Sequence, residues 1–94
     1  MAKTRVIPTL QVTFLKEGDQ FVAYSPSLDL STCGETLEEA RRRFGEAALL
    51  FVQELDKKGT REQVLSGLGW EQKNSSFIPP LVVGQENFSV PLRA

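Results

Sequence analysis

Ninety-four residues set the scale of a single domain. A chain this short buries only somewhat over ~60% of its unfolded surface, so its core supports one sheet with one or two helices. Eleven Lys and Arg against twelve Asp and Glu leave a net charge of −1, which argues against nucleic acid as the main partner, because phosphate binding draws on a basic excess. The chain has no histidine and one cysteine, Cys33. The commonest general base and metal ligand is therefore missing, and neither an internal disulfide nor a cysteine-based zinc site is possible. No metal or other cofactor is expected.

In chain order, the first residues carry Lys3 and Arg5, but their apolar positions alternate with Thr and Gln and are broken by Pro8. That is a strand pattern, not the core of a signal peptide. No stretch approaches the ~20 apolar residues of a membrane helix. With the single cysteine, these features point to a cytoplasmic protein. Leu10, Val12 and Phe14 alternate with Gln11 and Thr13, which predicts a strand over residues 10–14 with one buried face. The polar, Gly-containing residues 16–20 predict a hairpin connection. Residues 21–24, Phe-Val-Ala-Tyr, are apolar on both faces. They predict a central strand, or one covered by the helix on one side and by another subunit on the other. Pro26 lacks a ladder donor and ends that strand. A third strand is expected over residues 30–34.

The strongest signal is a helix. Thr36 and Glu39 have capping-box spacing, acidic residues stand in the first turn, Lys57 and Lys58 in the last, and Gly59 follows as the C′ residue. Leu37, Ala40, Phe44, Ala47, Ala48, Phe51 and Leu55 recur at helical spacing and form one face. Leu49 and Leu50 lie off it, and Val52 adds to the same apolar excess, so a second surface is expected to meet this helix as an oligomer interface. Thr60 to Gln63 repeats the capping-box pattern before a short second helix. Trp70 is expected to pack on the core. Residues 71–76 are polar and loop-like, residues 77–84 contain Pro79 and Pro80 and should be extended, and residues 86–92 alternate weakly enough for a last edge strand ending at Pro91.

Candidates for chemistry are few. Cys33 has no imidazole to activate it and Glu35 nearby, so a buried or half-buried inert thiol is expected. The Gly-x-Gly of residues 67–69 ends a helix instead of opening one, which does not suit a dinucleotide. Asp19, Asp29, Glu35 and Asp56 are the candidates for a two-metal nuclease, but the first strand carries no acid and Asp19 falls in a turn. Asp29 suits a turn-stabilising side chain. Arg41, Arg42 and Arg43 point about 100° apart on a helix and cannot form one patch; helical pairs such as Glu38 with Arg42 and Glu39 with Arg43 are expected instead.

The stretch FVAYSPSLDLSTCGETLEEARRRFGEAALLFVQEL resembles the HicB family of antitoxins, partners of HicA in type II toxin–antitoxin pairs. The resemblance is carried by the aromatic-x-Ala-Tyr-x-Pro-x-Leu run at residues 21–28, by Cys-Gly-Glu-Thr-Leu-Glu-Glu-Ala at 33–40, and by the Ala- and aromatic-rich helix that follows. GTREQVLSGLGW extends it, so that it covers about residues 12–70. It implies an α+β domain, a three- to four-stranded mainly antiparallel sheet under one long helix with a short second helix, like a reduced ribonuclease H fold without its acids. It also implies a non-catalytic antitoxin that occludes a small mRNA-cleaving HicA-like toxin and forms homodimers or higher oligomers. The expected toxin-binding residues are Tyr24, Pro26, Leu28 and Asp29 at the turn, and Phe77, Leu81 and Val83 in the tail. The chain departs from many relatives in lacking a ribbon-helix-helix or helix-turn-helix after residue 70, which puts DNA binding in doubt, and in lacking a Pro-Gly-Cys turn. The expected organisation is one domain with a core over residues 4–70 and an extended tail over 71–94. The alternative function is an orphan domain of this fold that binds a small ligand or RNA.

Overall fold

A three-stranded antiparallel sheet begins the described chain, which in this computed structural model covers residues 9–93. Lys3, Arg5 and Pro8, and the expected boundary at residue 4, lie outside the described residues. Strand β1, Thr13–Glu17, pairs with β2, Gln20–Ser25, through a two-residue turn. Gly18 occupies its first position at φ 59°, a conformation that costs glycine nothing and that suits a tight hairpin. Strand β3, Leu30–Gly34, pairs with the other edge of β2, so the strand that is apolar on both faces is central, as its composition predicted. β1 starts three residues later than the alternation suggested. Lys16 and Glu17, expected in the connection, continue the ladder opposite Phe21 and Gln20. The two-residue turn dictates that register, and charged side chains are well tolerated on an edge strand.

Helix α1, Leu37–Lys58, has the expected ends. Thr36 Oγ1 accepts the Glu39 N–H at 3.0 Å. Glu39 reaches back to the N–H of Glu35, one residue before the cap, at 3.3 Å. Gly59 ends the helix at φ 67°. The second capping box does not form: Thr60 makes no side-chain cap bond to α2, Arg61–Gly67. Its N–H instead donates to the Leu55 carbonyl at 3.0 Å. That bond closes the left-handed end of α1, so the conformation of Thr60 is set by the helix before it. Residues 71–76, expected as loop, contain strand β4, Glu71–Lys73, paired with β5, Ser76–Ile78, as a separate two-stranded sheet. Asn74 turns the chain at φ 56°, a conformation that Asn tolerates better than most residues. Beyond Ile78 the chain is irregular, and the expected strand over 86–92 is absent. The fold is α+β: a three-stranded antiparallel sheet, a long helix packed on it, a short second helix and a small hairpin.

The core has two clusters. Ala23, Ala40 and Phe44 join the sheet to the first half of α1. Leu28, Leu55, Leu65 and Trp70 join the turn after β2 to the end of α1 and to α2. Gly34 lets the helix approach: a Cβ there would stand 2.8 Å from the Ala40 nitrogen and 2.9 Å from the Glu39 Cβ. α1 packs over β3 and β2. Phe14 on β1 remains 39% exposed, with the Arg41 guanidinium 5.3 Å above its ring. No helix among the described residues is long and apolar enough to cross a membrane.

Candidate partner-binding surface

The register divides the sheet into two faces, because residues directly opposite each other project to the same side and successive residues alternate. Ala23 with Thr32, and Phe21 with Gly34, face the helix; Thr32 Oγ1 donates to the Ala40 carbonyl at 3.2 Å. The other face therefore carries Leu15, Val22 and Cys33 in one row across the three strands, and Thr13, Tyr24 and Ser31 in the next. Among the described residues, no second helix or sheet packs against these three strands. This uncovered face accounts for the apolar character of both sides of β2. It also corrects the expectation for Cys33, whose side chain is exposed and not buried.

The turn of residues 26–29 closes with the Asp29 N–H donating to the Pro26 carbonyl at 3.3 Å. Asp29 takes φ 48°, a left-handed conformation in which Asp is several-fold enriched. Its carboxylate accepts the Tyr24 phenol at 3.1 Å. The hydrogen bond to Asp29, followed by desolvation and the carboxylate charge, raises the phenol above its ordinary value of 10.0. Tyr24, Pro26 and Asp29 thus stand together at one end of the uncovered face, with Pro26 and Asp29 exposed. Leu28 does not join them. It is only 3% exposed and packs with Leu55, Leu65 and Trp70, so the expected contact residue is a core residue. Between two polar neighbours its side chain turns inward, because the turn must bury one anchor to stay on the domain.

The turn and the tail, singled out separately in the sequence, are tied together. Trp70 Nε1 donates to the Ser27 carbonyl at 2.8 Å, and Ser27 Oγ donates to the Pro80 carbonyl at 3.4 Å. Phe77 is half-buried against the Trp70 cluster. Leu81 and Val83 project from the same segment at 71% and 97% exposure. The site residues that reach solvent are therefore Tyr24, Pro26, Asp29, Leu81 and Val83, on segments that meet at Ser27. Leu15 and Val22 belong to the same face and were missed. Strict alternation in β1 and β2 about Ala23 would have found them.

On α1, Leu49, Leu50 and Val52 are exposed, as their positions off the main face predicted. The arginines are engaged along the helix: Arg41 with Glu38, Arg42 with Glu46 at 2.9 Å, and Arg43 with Glu39 at 3.0 Å. Glu38 was expected to pair with Arg42 and pairs with Arg41 instead. Among the described residues, Asp19, Asp29, Glu35 and Asp56 do not assemble into a group of three that could hold a metal ion. Comparison with known proteins finds no matching family model, no matching curated protein and no matching solved structure.

Proposed function

We propose that this chain is a HicB-like antitoxin: a cytosolic, non-catalytic domain that binds a small HicA-like RNA-cleaving toxin and keeps it from mRNA. The observation that carries the reading is the uncovered sheet face. Its apolar row of Leu15 and Val22 is continuous with the Tyr24–Asp29 pair and adjoins the emerging tail. A one-helix sheet with a bare apolar side is a surface for another protein. Asp29 supplies a carboxylate for a basic toxin, and Tyr24 an aromatic with a polar tip, the kind of group that dominates binding hot spots. The motifs at residues 21–28 and 33–40 support the same partner. Leu49, Leu50 and Val52 on the far side of α1 leave the homo-oligomer and the toxin on different surfaces.

The test is co-expression with the adjacent short reading frame, followed by calorimetric titration of the purified pair. Tyr24→Arg, on a domain that keeps its circular dichroism spectrum, should weaken binding by at least about thirtyfold, the scale of a hot-spot residue. Binding at parental affinity would refute the surface, and failure of the adjacent product to bind or to cleave RNA would refute the toxin.

A further inference from the structure

Gly45 has no explanation inside the chain. It stands in the middle of α1, where glycine weakens folding about fivefold relative to alanine, and a Cβ added to it would meet nothing within 4 Å. Arg42, Gly45, Leu49, Val52 and Asp56 succeed one another at alternating spacings of three and four residues, the repeat of a seam at which two helices meet. All five are exposed, Leu49 at 58% and Val52 at 40%. Leu50 points about 100° away from Leu49 and stays outside the seam. A bare glycine beside two apolar side chains is what a second backbone needs in order to come close.

We propose that this seam pairs antiparallel with the same seam of a second copy, about a two-fold axis midway between Gly45 and Leu49. The proposal rests on the homo-oligomer of the reading above and gives it a geometry. Leu49 fills the space over the partner's Gly45, and Arg42 lays its stem on the partner's Val52. Arg42 and the partner's Asp56 are then four residues apart along the axis, about 6 Å. Side chains on a helix lean toward its N-terminus, so in an antiparallel pair these two lean toward each other and meet. Glu38 shares their level but is engaged with Arg41. The two-fold axis makes every contact occur twice.

Charge selects both the direction and the occupant. A parallel pair would set Arg42 on Arg42 and Asp56 on Asp56, and like charges repel. A matching helix must offer an acid, two apolar positions and a cation in reverse order at the same spacing, and α1 itself does. Residues 81–93 cannot supply this pattern, since they form no helix and Glu86 and Arg93 are their only charges. Within the chain Arg42 pairs with Glu46 and Asp56 with Arg61, yet their side chains remain 62% and 46% exposed, which leaves each room for a second partner.

The test reads self-association of the full chain by sedimentation over a concentration series. Gly45→Gln should weaken association at least about tenfold, because the new side chain holds the helices apart. The same variant should raise the urea midpoint of the dilute, monomeric chain, glutamine being the better helix former. Association unchanged by Gly45→Gln overturns the proposal, as does a parent chain that stays monomeric at every concentration. Arg42→Asp should weaken association about tenfold, two attractive contacts per dimer becoming repulsive, and adding Asp56→Arg should restore it. Independently, Arg42→Cys and Val52→Cys chains, each with Cys33→Ser, are mixed and oxidised. Intact mass should show mainly the mixed disulfide; an excess of either self-linked species, or no cross-link, overturns the antiparallel pairing. No toxin takes part in these readouts, and Tyr24→Arg should leave them unchanged, so their failure is distinguishable from failure of the antitoxin reading.

Discussion

Leu28→Ala separates folding from binding at the turn. The side chain is 3% exposed and packs with Leu55, Leu65 and Trp70. Truncation removes three carbons, about 2.4 kcal/mol at ~0.8 per methylene. The cavity left behind adds to this, because Trp70 is held to the Ser27 carbonyl and cannot slide freely into the space. A total of about 3 kcal/mol is a large share of the roughly 5–14 kcal/mol expected for a domain of this length. With a urea m-value near ~1.5 kcal/mol/M, the midpoint should fall by about 2 M, and the melting temperature by about 12–24 °C. Urea unfolding followed by Trp70 fluorescence reads the change directly, since this is the only tryptophan. Under strongly native conditions the folded fraction should keep its affinity for a partner. A loss below about 1 kcal/mol would show that Leu28 is not the anchor described, and a loss of affinity without loss of stability would return it to the contact surface.

Gly34→Ala should destabilise the domain by about 1–3 kcal/mol, because the new Cβ meets backbone at the start of α1 at 2.8 Å and something must shift; an unchanged thermal melt would refute this close approach. Tyr24 is the only tyrosine, so absorbance near 295 nm titrates it alone. Its midpoint should lie above 10.0 because the Asp29 hydrogen bond holds the neutral phenol, and Asp29→Asn should bring it down. A raised native pKa means that the folded state binds this proton more tightly than the unfolded chain. The pair's contribution to stability is thus fully present below pH about 10 and is lost as pH rises through the native pKa. A midpoint unmoved by Asp29→Asn would break the pairing.

What the sequence alone determined is local. Thr36, the acidic first turn and Gly59 mark both ends of α1, because capping is satisfied within a few residues. Residues 30–34 and the central place of β2 follow from side-chain period and apolar content. Three features were decided by tertiary structure. The direction of Leu28 depends on Trp70, forty-two positions away, whose indole docks on the neighbouring carbonyl. The conformation of Thr60 belongs to the end of α1, which overrides its own capping pattern. The division of the sheet into a covered and an open face depends on where α1 lies, and only the pairing of Ala23 with Thr32, and of Thr32 with Ala40, places it. Cysteine 33, expected inside, is outside for the same reason: alternation says that neighbouring side chains point to opposite faces, and only packing says which face is covered.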